Sequence, residues 1–149
     1  MPAYQTTYAG NLAPGYEGMP ANMEVRNVIS RTIETAGGVG FGKPVYQGAT
    51  DQAVATTGSI LRGVTEADHN VRPTAAQTDG YAQGDTVSIM TKGVIWVVAS
   101  GAVTPGAPAY VTAGGAWSAT ASGNTAVPNA IFDSTAANGA LAKLRVNFV

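Results

Sequence analysis

Apolar and polar positions alternate most cleanly at the end of the chain. Across residues 141–149, Leu144, Val146 and Phe148 fall on one side and Lys143, Arg145 and Asn147 on the other. That is the period of two expected of a strand with one wet face. A longer strand is predicted over 86–98, TVSIMTKGVIWVV, following a turn at Gly84-Asp85. Val87 and Ile89 first alternate with hydroxyl residues. Beyond Gly93 apolar side chains occupy both faces, as where a strand leaves a half-exposed sheet and becomes covered on both sides. Gly93 is therefore the expected bulge or bend.

The remaining segments are shorter. Residues 24–35 are rich in β-branched side chains and read as strand, although a helix would also gather Val25, Val28, Ile29 and Ile33 on one face. Strands are predicted around 43–47 and 59–65, bounded by Gly, Asp and Thr-rich turns, and again over 109–112, 116–120 and 130–133. Thr104-Pro105-Gly106-Ala107-Pro108 and Gly114-Gly115 supply turns between them. Residues 66–82, polar and irregular with Pro73, are expected to form a surface loop. No segment reads as a long helix and no repeat period emerges. The expected class is mainly β: a small single-domain β-barrel or β-sandwich over 24–149, preceded by an extended N-terminal arm over 1–23.

The arm follows from composition. Pro2, Pro14 and Pro20 prevent a continuous helix, and Glu17 is the one charge among residues 1–23. A solvated linker is normally charged and poor in aromatics, whereas this segment carries Tyr4, Tyr8, Leu12 and Tyr16. These large side chains gain by lying in an apolar groove, which makes them the predicted partner-binding residues of an arm that orders on a partner. The plainer alternative is a floppy terminus with incidental tyrosines.

Charge changes the picture further. Only 11% of the 149 residues are charged, against roughly a quarter in ordinary soluble domains, and the formal net charge is −1. A surface so short of charge is better suited to lying against neighbours than to standing alone in water. With basic residues scattered singly from Arg26 to Arg145, nucleic-acid binding is not expected. No apolar run reaches the roughly 18 residues that span a bilayer, and the first residues lack the basic and apolar regions of a signal peptide, so neither membrane nor export is expected. Without cysteine, neither disulfides nor thiolate chemistry contribute.

Candidate chemistry is sparse. Gly37, Gly42 and Lys43 match the spacing of a phosphate-binding loop, but Pro44 stands where a hydroxyl must hold magnesium, and the sequence after it reads as strand where the mechanism needs a helix N-terminus. A glycine hinge explains them. His69 is the single histidine and lies in a loop, with no serine in a nucleophile-elbow sequence. Asp79 and Asp85 neighbour glycines as turn residues do, and Glu66 and Asp68 complete no calcium-loop spacing. Trp96, Trp117, Tyr110 and Phe132 read as core fillers of a small β domain, with a sugar-stacking platform as the alternative. Neither catalysis nor a cofactor is expected.

Four features resemble the capsid cement, or head decoration, proteins of tailed phages. They are the Pro/Gly/Tyr arm, GKPV at 42–45, GDTVSIMTKGVIWV at 84–97, and VTPGAPAYV at 103–111. The resemblance implies a non-enzymatic structural subunit on the outer surface of the virion head, made in the host cytoplasm. It further implies binding to the major capsid protein and to itself as a homotrimer near threefold positions, bridging capsid subunits. A tail or head-fibre component, or a small carbohydrate-binding module using Trp96 or Trp117, are the alternative readings.

Overall fold

A computed structural model describes residues 15–75 and 77–148 of the chain. They form strands and turns, with no helix among the described residues. The eleven strands are β1 (Asn27–Ile33), β2 (Val39–Gly40), β3 (Pro44–Gln47), β4 (Ala53–Ala55), β5 (Leu61–Thr65), β6 (Gly80–Tyr81), β7 (Thr86–Val98), β8 (Pro108–Val111), β9 (Trp117–Ser118), β10 (Thr125–Phe132) and β11 (Leu141–Asn147).

The organising element is β7. Its first half pairs with β1 on one edge, from Lys92 opposite Asn27 to Thr86 opposite Thr32, and with β5 on the other, where Met90 meets Val64. Strands β1, β4, β3, β5 and β7 then close on themselves, because β1 pairs both β4 and β7. Closure leaves no free edge around this five-stranded barrel. Beyond Gly93 the same strand pairs with β11, from Gly93 opposite Val146 to Val98 opposite Leu141, and β11 continues into β10, β8 and β9. A parallel bridge between Ala99 and Trp117 brings β9 back to the end of β7. Two barrel-like halves thus share one strand.

Each half has its own core. Ile33, Val39, Phe41, Val45, Val54, Tyr81, Val87 and Ile89 fill the first. The second is built around Trp117, Phe132, Leu144, Val146, Ile95 and Val97, with Val64 and Met90 contributed from the first. Burying an aliphatic side chain such as Ile33 or Ile95 stabilises by roughly 1.5–3 kcal/mol. Gly93 lies where β7 changes partner, with φ 135°, and a Cβ there would come within 3.0 Å of both Arg26 Cβ and Met90 Sδ. It is a bend. The register shift falls instead at Thr91, where Asn27 pairs Lys92 but Val28 pairs Met90.

Most predicted strands are present with trimmed ends, and 24–35 is strand over Asn27–Ile33, which settles the helix alternative. The predicted 116–120 strand is only Trp117–Ser118, whereas the 130–133 strand begins earlier, at Thr125. The extra length of β10 accommodates an irregularity against β8 and places Asn129 at φ 60°, which its short polar side chain tolerates. The expected surface loop at 66–82 needs correction at its end. Gly80 and Tyr81 pair with Gly40 and Val39 as a small second sheet, and Tyr81 is fully buried with its hydroxyl donating to the Glu66 carbonyl at 2.6 Å. A lone buried tyrosine in a polar stretch lacks any periodicity to reveal it.

Candidate functional site

Of the residues assigned to the arm, those from Gly15 onward lie on the domain itself, as a strap along the second half of β7. The Gly18 N–H donates to the Trp96 carbonyl at 2.7 Å, the Trp96 N–H to the Met19 carbonyl at 2.9 Å, and the Ala21 N–H to the Val94 carbonyl at 2.8 Å. Pro20 sits opposite Ile95 in an antiparallel bridge, a position where the missing proline N–H breaks nothing. Across the strap the Gly18 carbonyl accepts from Ala67 N–H at 2.8 Å. The edge that β7 presents after Gly93 is thereby covered.

Close approach requires the glycines here. A Cβ on Gly15 would lie 2.9 Å from the Trp96 indole and 2.7 Å from the Met19 methyl. Gly42, at φ 67°, would drive a Cβ to 2.6 Å from Glu17 Cγ and 3.0 Å from the Gly18 nitrogen. The GKPV segment that resembled a phosphate loop is therefore the seat on which the strap rests. Its Lys43 Nζ lies 2.6 Å from Glu17 Oε1, an ion pair about one-third exposed on each side.

Charged side chains secure the strap at its far end. Arg145 on β11 pairs with Glu24 and, at 3.0 Å, with Asp133. The hydrogen bond from Arg145 holds the Glu24 carboxyl below the usual carboxylate range. Arg26 pairs with Glu66 at 2.8 Å, yet burial of Glu66 outweighs that attraction and raises its pKa. The pairs of Arg145 are solvent-exposed and screened, so they fix the strap's direction more than they add stability. Lys143 Nζ also stands 5.4 Å from the Trp96 ring centroid, on the ring face.

At the entry to the strap a cleft of about 390 Å³ is lined by residues including Tyr16, Phe41, Lys43, His69 and Asp79. Tyr16 is 44% exposed and meets His69 edge-on at 4.8 Å between ring centroids, while Phe41 stacks edge-on to Tyr81 at 5.4 Å. Tyr16 is thus the one predicted arm residue that the structure places; Tyr4, Tyr8 and Leu12 lie outside the described residues. His69 is an exposed loop histidine, as its surroundings in sequence implied. Trp96 and Trp117 are both buried, as is Phe132, whereas Tyr110 is only half-buried. Among the described residues no three His, Asp or Glu side chains cluster as metal ligands, and no helix is long and apolar enough to cross a membrane.

Sequence reasoning missed the strap and its anchors, Trp96, Glu17 and Glu24. The one available signal was Gly15, Gly18 and Pro20 in a tyrosine-bearing segment, which marked it as seated in a groove without saying whose.

A closed five-stranded barrel, a barrel-like second half on the same strand and a seated strap, with no cluster of metal-ligating side chains among the described residues, make a structural domain. The chain belongs to the phage family of structural cement proteins (E217 gp24/Pam3 gp6), whose model matches residues 4–147. Among curated protein sequences, none matches it. A chain in the structure of the capsid of Myoviridae phage XM1 is similar in fold, with a TM-score of 0.74 at 16% identity and 99% of each chain covered. A chain of the head fiber gp8.5 N base in bacteriophage phi29 gives a TM-score of 0.49 at 14% identity, covering 83% of this chain and 95% of that one.

Proposed function

We propose that the chain is a cement subunit of the outer head surface, which binds the major capsid protein and bridges neighbouring capsid subunits against internal pressure. Membership of the structural cement family over residues 4–147 is the observation that carries this reading. The geometry supports it. An arm that grips a neighbour must pass its load into something stiff, and here the arm's root is hydrogen-bonded along Val94–Trp96 of the strand common to both barrels. Tension on residues 1–14 would be delivered to the best-braced element of the fold.

In this reading Tyr4, Tyr8, Leu12 and Tyr16 seat the arm on the shell or on a neighbouring copy, since large side chains in grooves dominate interface energies. The subunit acts as a homotrimer on the assembled virion after synthesis in the host cytoplasm, without catalysis, cofactor, nucleic acid or membrane. Many modest contacts on a closed shell then sum to a large resistance to opening.

The test is cosedimentation of purified protein with undecorated capsids of its own source, followed by heating. Saturable binding with a raised disruption temperature is expected, because a ligand of the assembled state stabilises that state. No binding would defeat the proposal.

A further inference from the structure

Three depressions of the surface join into one groove, because successive ones share residues that line them. The cleft at Tyr16 shares Gly40, Lys43 and Gln77 with a depression of about 240 Å³. That one shares Thr56, Thr57, Ala113 and Gly115 with a third, of about 140 Å³, whose wall includes Tyr46 and Thr125. The groove thus runs from the strap's entry along the first barrel and out between the link after β4 and the β8–β9 turn of the second. Its walls beyond the cleft are mostly glycine, alanine and threonine. Apart from the Lys43–Glu17 pair, its acidic or basic side chains are His69 and Asp79, both at the Tyr16 end.

Two glycines of this wall are not required by the fold. Neither Gly40 nor Gly114 has a positive φ, and a Cβ on Gly40 would meet nothing closer than Lys43 Cγ at 3.6 Å. On Gly114 it would meet only Thr112 Oγ1, at 3.9 Å. These are ordinary van der Waals separations. Since glycine weakens ordinary backbone, bare surface at these positions is explained by the close approach of another backbone from outside. Residues 1–14 match such a groove. They contain no Asp, Glu, Lys or Arg, and Tyr4, Tyr8 and Leu12 recur at the same four-residue interval that separates Leu12 from Tyr16. Side chains four apart on an extended chain share one face at intervals of about 13 Å. Such a run needs a long groove rather than a single pocket, and Tyr16 already stands at one end of this one.

We infer that on the shell this groove receives residues 1–14 of a neighbouring copy. The inference rests on the cement reading, in which the arm's seat is either the shell or another copy, and it commits to the second. The chain's own arm is poorly placed for it. Gly15 lies against the Trp96 indole and the Met19 methyl, none of which lines the groove, while the Tyr16 ring, edge-on to His69, occupies the near end. Entry within one copy would need the chain to double back past that ring pair. Fourteen residues at about 3.3 Å each reach about 46 Å, beyond the roughly 30 Å across a small domain, so the arm is long enough to leave its own copy. In a homotrimer each copy gives one arm and receives one, and a closed ring leaves no groove empty.

The chain has no cysteine, so introduced thiols report proximity directly. Full-length Ala9→Cys is mixed with full-length Thr57→Cys or Ala113→Cys, bound to undecorated capsids of the same source and treated with a short bismaleimide. Mass spectrometry of the joined peptides reads which positions meet. Ala121→Cys, exposed and lining none of the three depressions, is the control acceptor. Thermal unfolding of each free protein checks that it folds. Position 9 should join 57 or 113 at a yield about tenfold or more above 121, and Gly114→Glu in the acceptor, which fills and charges the groove, should cut that yield about tenfold. If wild type itself fails to bind capsids, the cement reading falls and this inference with it. If wild type binds but no pair forms between copies, or position 121 joins equally well, the groove is overturned as the arm's seat while the cement reading stands. An undiminished yield with Gly114→Glu overturns it in the same way. A bridge within one chain of free Ala9→Cys/Thr57→Cys, with none between copies on capsids, assigns the groove to the chain's own arm and also overturns the inference.

Discussion

The indole N–H of Trp117 donates to the carbonyl of Gly42 at 2.8 Å, linking residues 75 apart in sequence and joining the core of the second barrel to the seat of the strap on the first. Both partners are buried, so the bond has no water to compete with it. Trp117→Phe would keep most of the apolar contact, leave the Gly42 carbonyl without its donor and open a small void. A loss of about 2–4 kcal/mol in stability is expected from these two effects together. Denaturant unfolding measures it, and a change below about 0.5 kcal/mol would show that the link between the halves is incidental.

At Gly42 a side chain would meet Glu17 and Gly18 before anything else. Gly42→Ala combines a left-handed backbone position with that clash, and a cost of about 1–3 kcal/mol is expected. Because the displaced element is the strap, faster proteolysis between residues 15 and 24 should accompany the lower melting temperature. An unchanged cleavage pattern would count against the strap's dependence on this seat.

The strap and the arm are separable by truncation. Removing residues 1–14 leaves in place the hydrogen bonds that Gly18, Met19 and Ala21 make to Trp96 and Val94, so the melting temperature should hold while capsid occupancy falls. Removing residues 1–21 uncovers the edge of β7 and the Trp96 indole. Both a lower melting temperature and red-shifted tryptophan emission are expected. Wild-type occupancy by the shorter truncation would sink the role assigned to Tyr4, Tyr8 and Leu12.

Two carboxylates respond to pH with opposite signs. Glu24 has a depressed pKa, chiefly from its hydrogen bond with Arg145, so its contribution is present above the unfolded carboxylate pKa and is lost as pH falls through the lower folded value. Glu66 has a raised pKa, chiefly from burial, and one of its oxygens is enclosed without a partner among the described residues. Its linkage favours the fold below the unfolded pKa and fades as pH rises through the folded one. Relative to wild type, Glu24→Gln should therefore be destabilised at neutral pH and converge with it in acid, whereas Glu66→Gln should gain on wild type as pH rises above the usual carboxylate range. Unfolding midpoints followed from acid to neutral pH test both, and parallel curves for wild type and variants would refute the assignment.

The local pattern of this chain was enough to determine that it is a β protein, where its two clearest strands run, and that β7 changes character at Gly93. Alternation in β11 and the doubly apolar run after Gly93 are properties of consecutive residues, and each reports how many faces a strand buries. Poverty of charge and the arm's tyrosines likewise pointed to assembly from composition alone. Which edges pair is not a property of consecutive residues. That β7 serves two barrels in succession, that Trp117 reaches Gly42, that Tyr81 is drawn from a polar stretch into the first core and that residues 15–21 cover the edge at Trp96 all depend on segments distant in the chain meeting in space. Only the closed tertiary structure decided them, because backbone hydrogen bonds at a strand edge are satisfied by whichever partner the rest of the fold brings there.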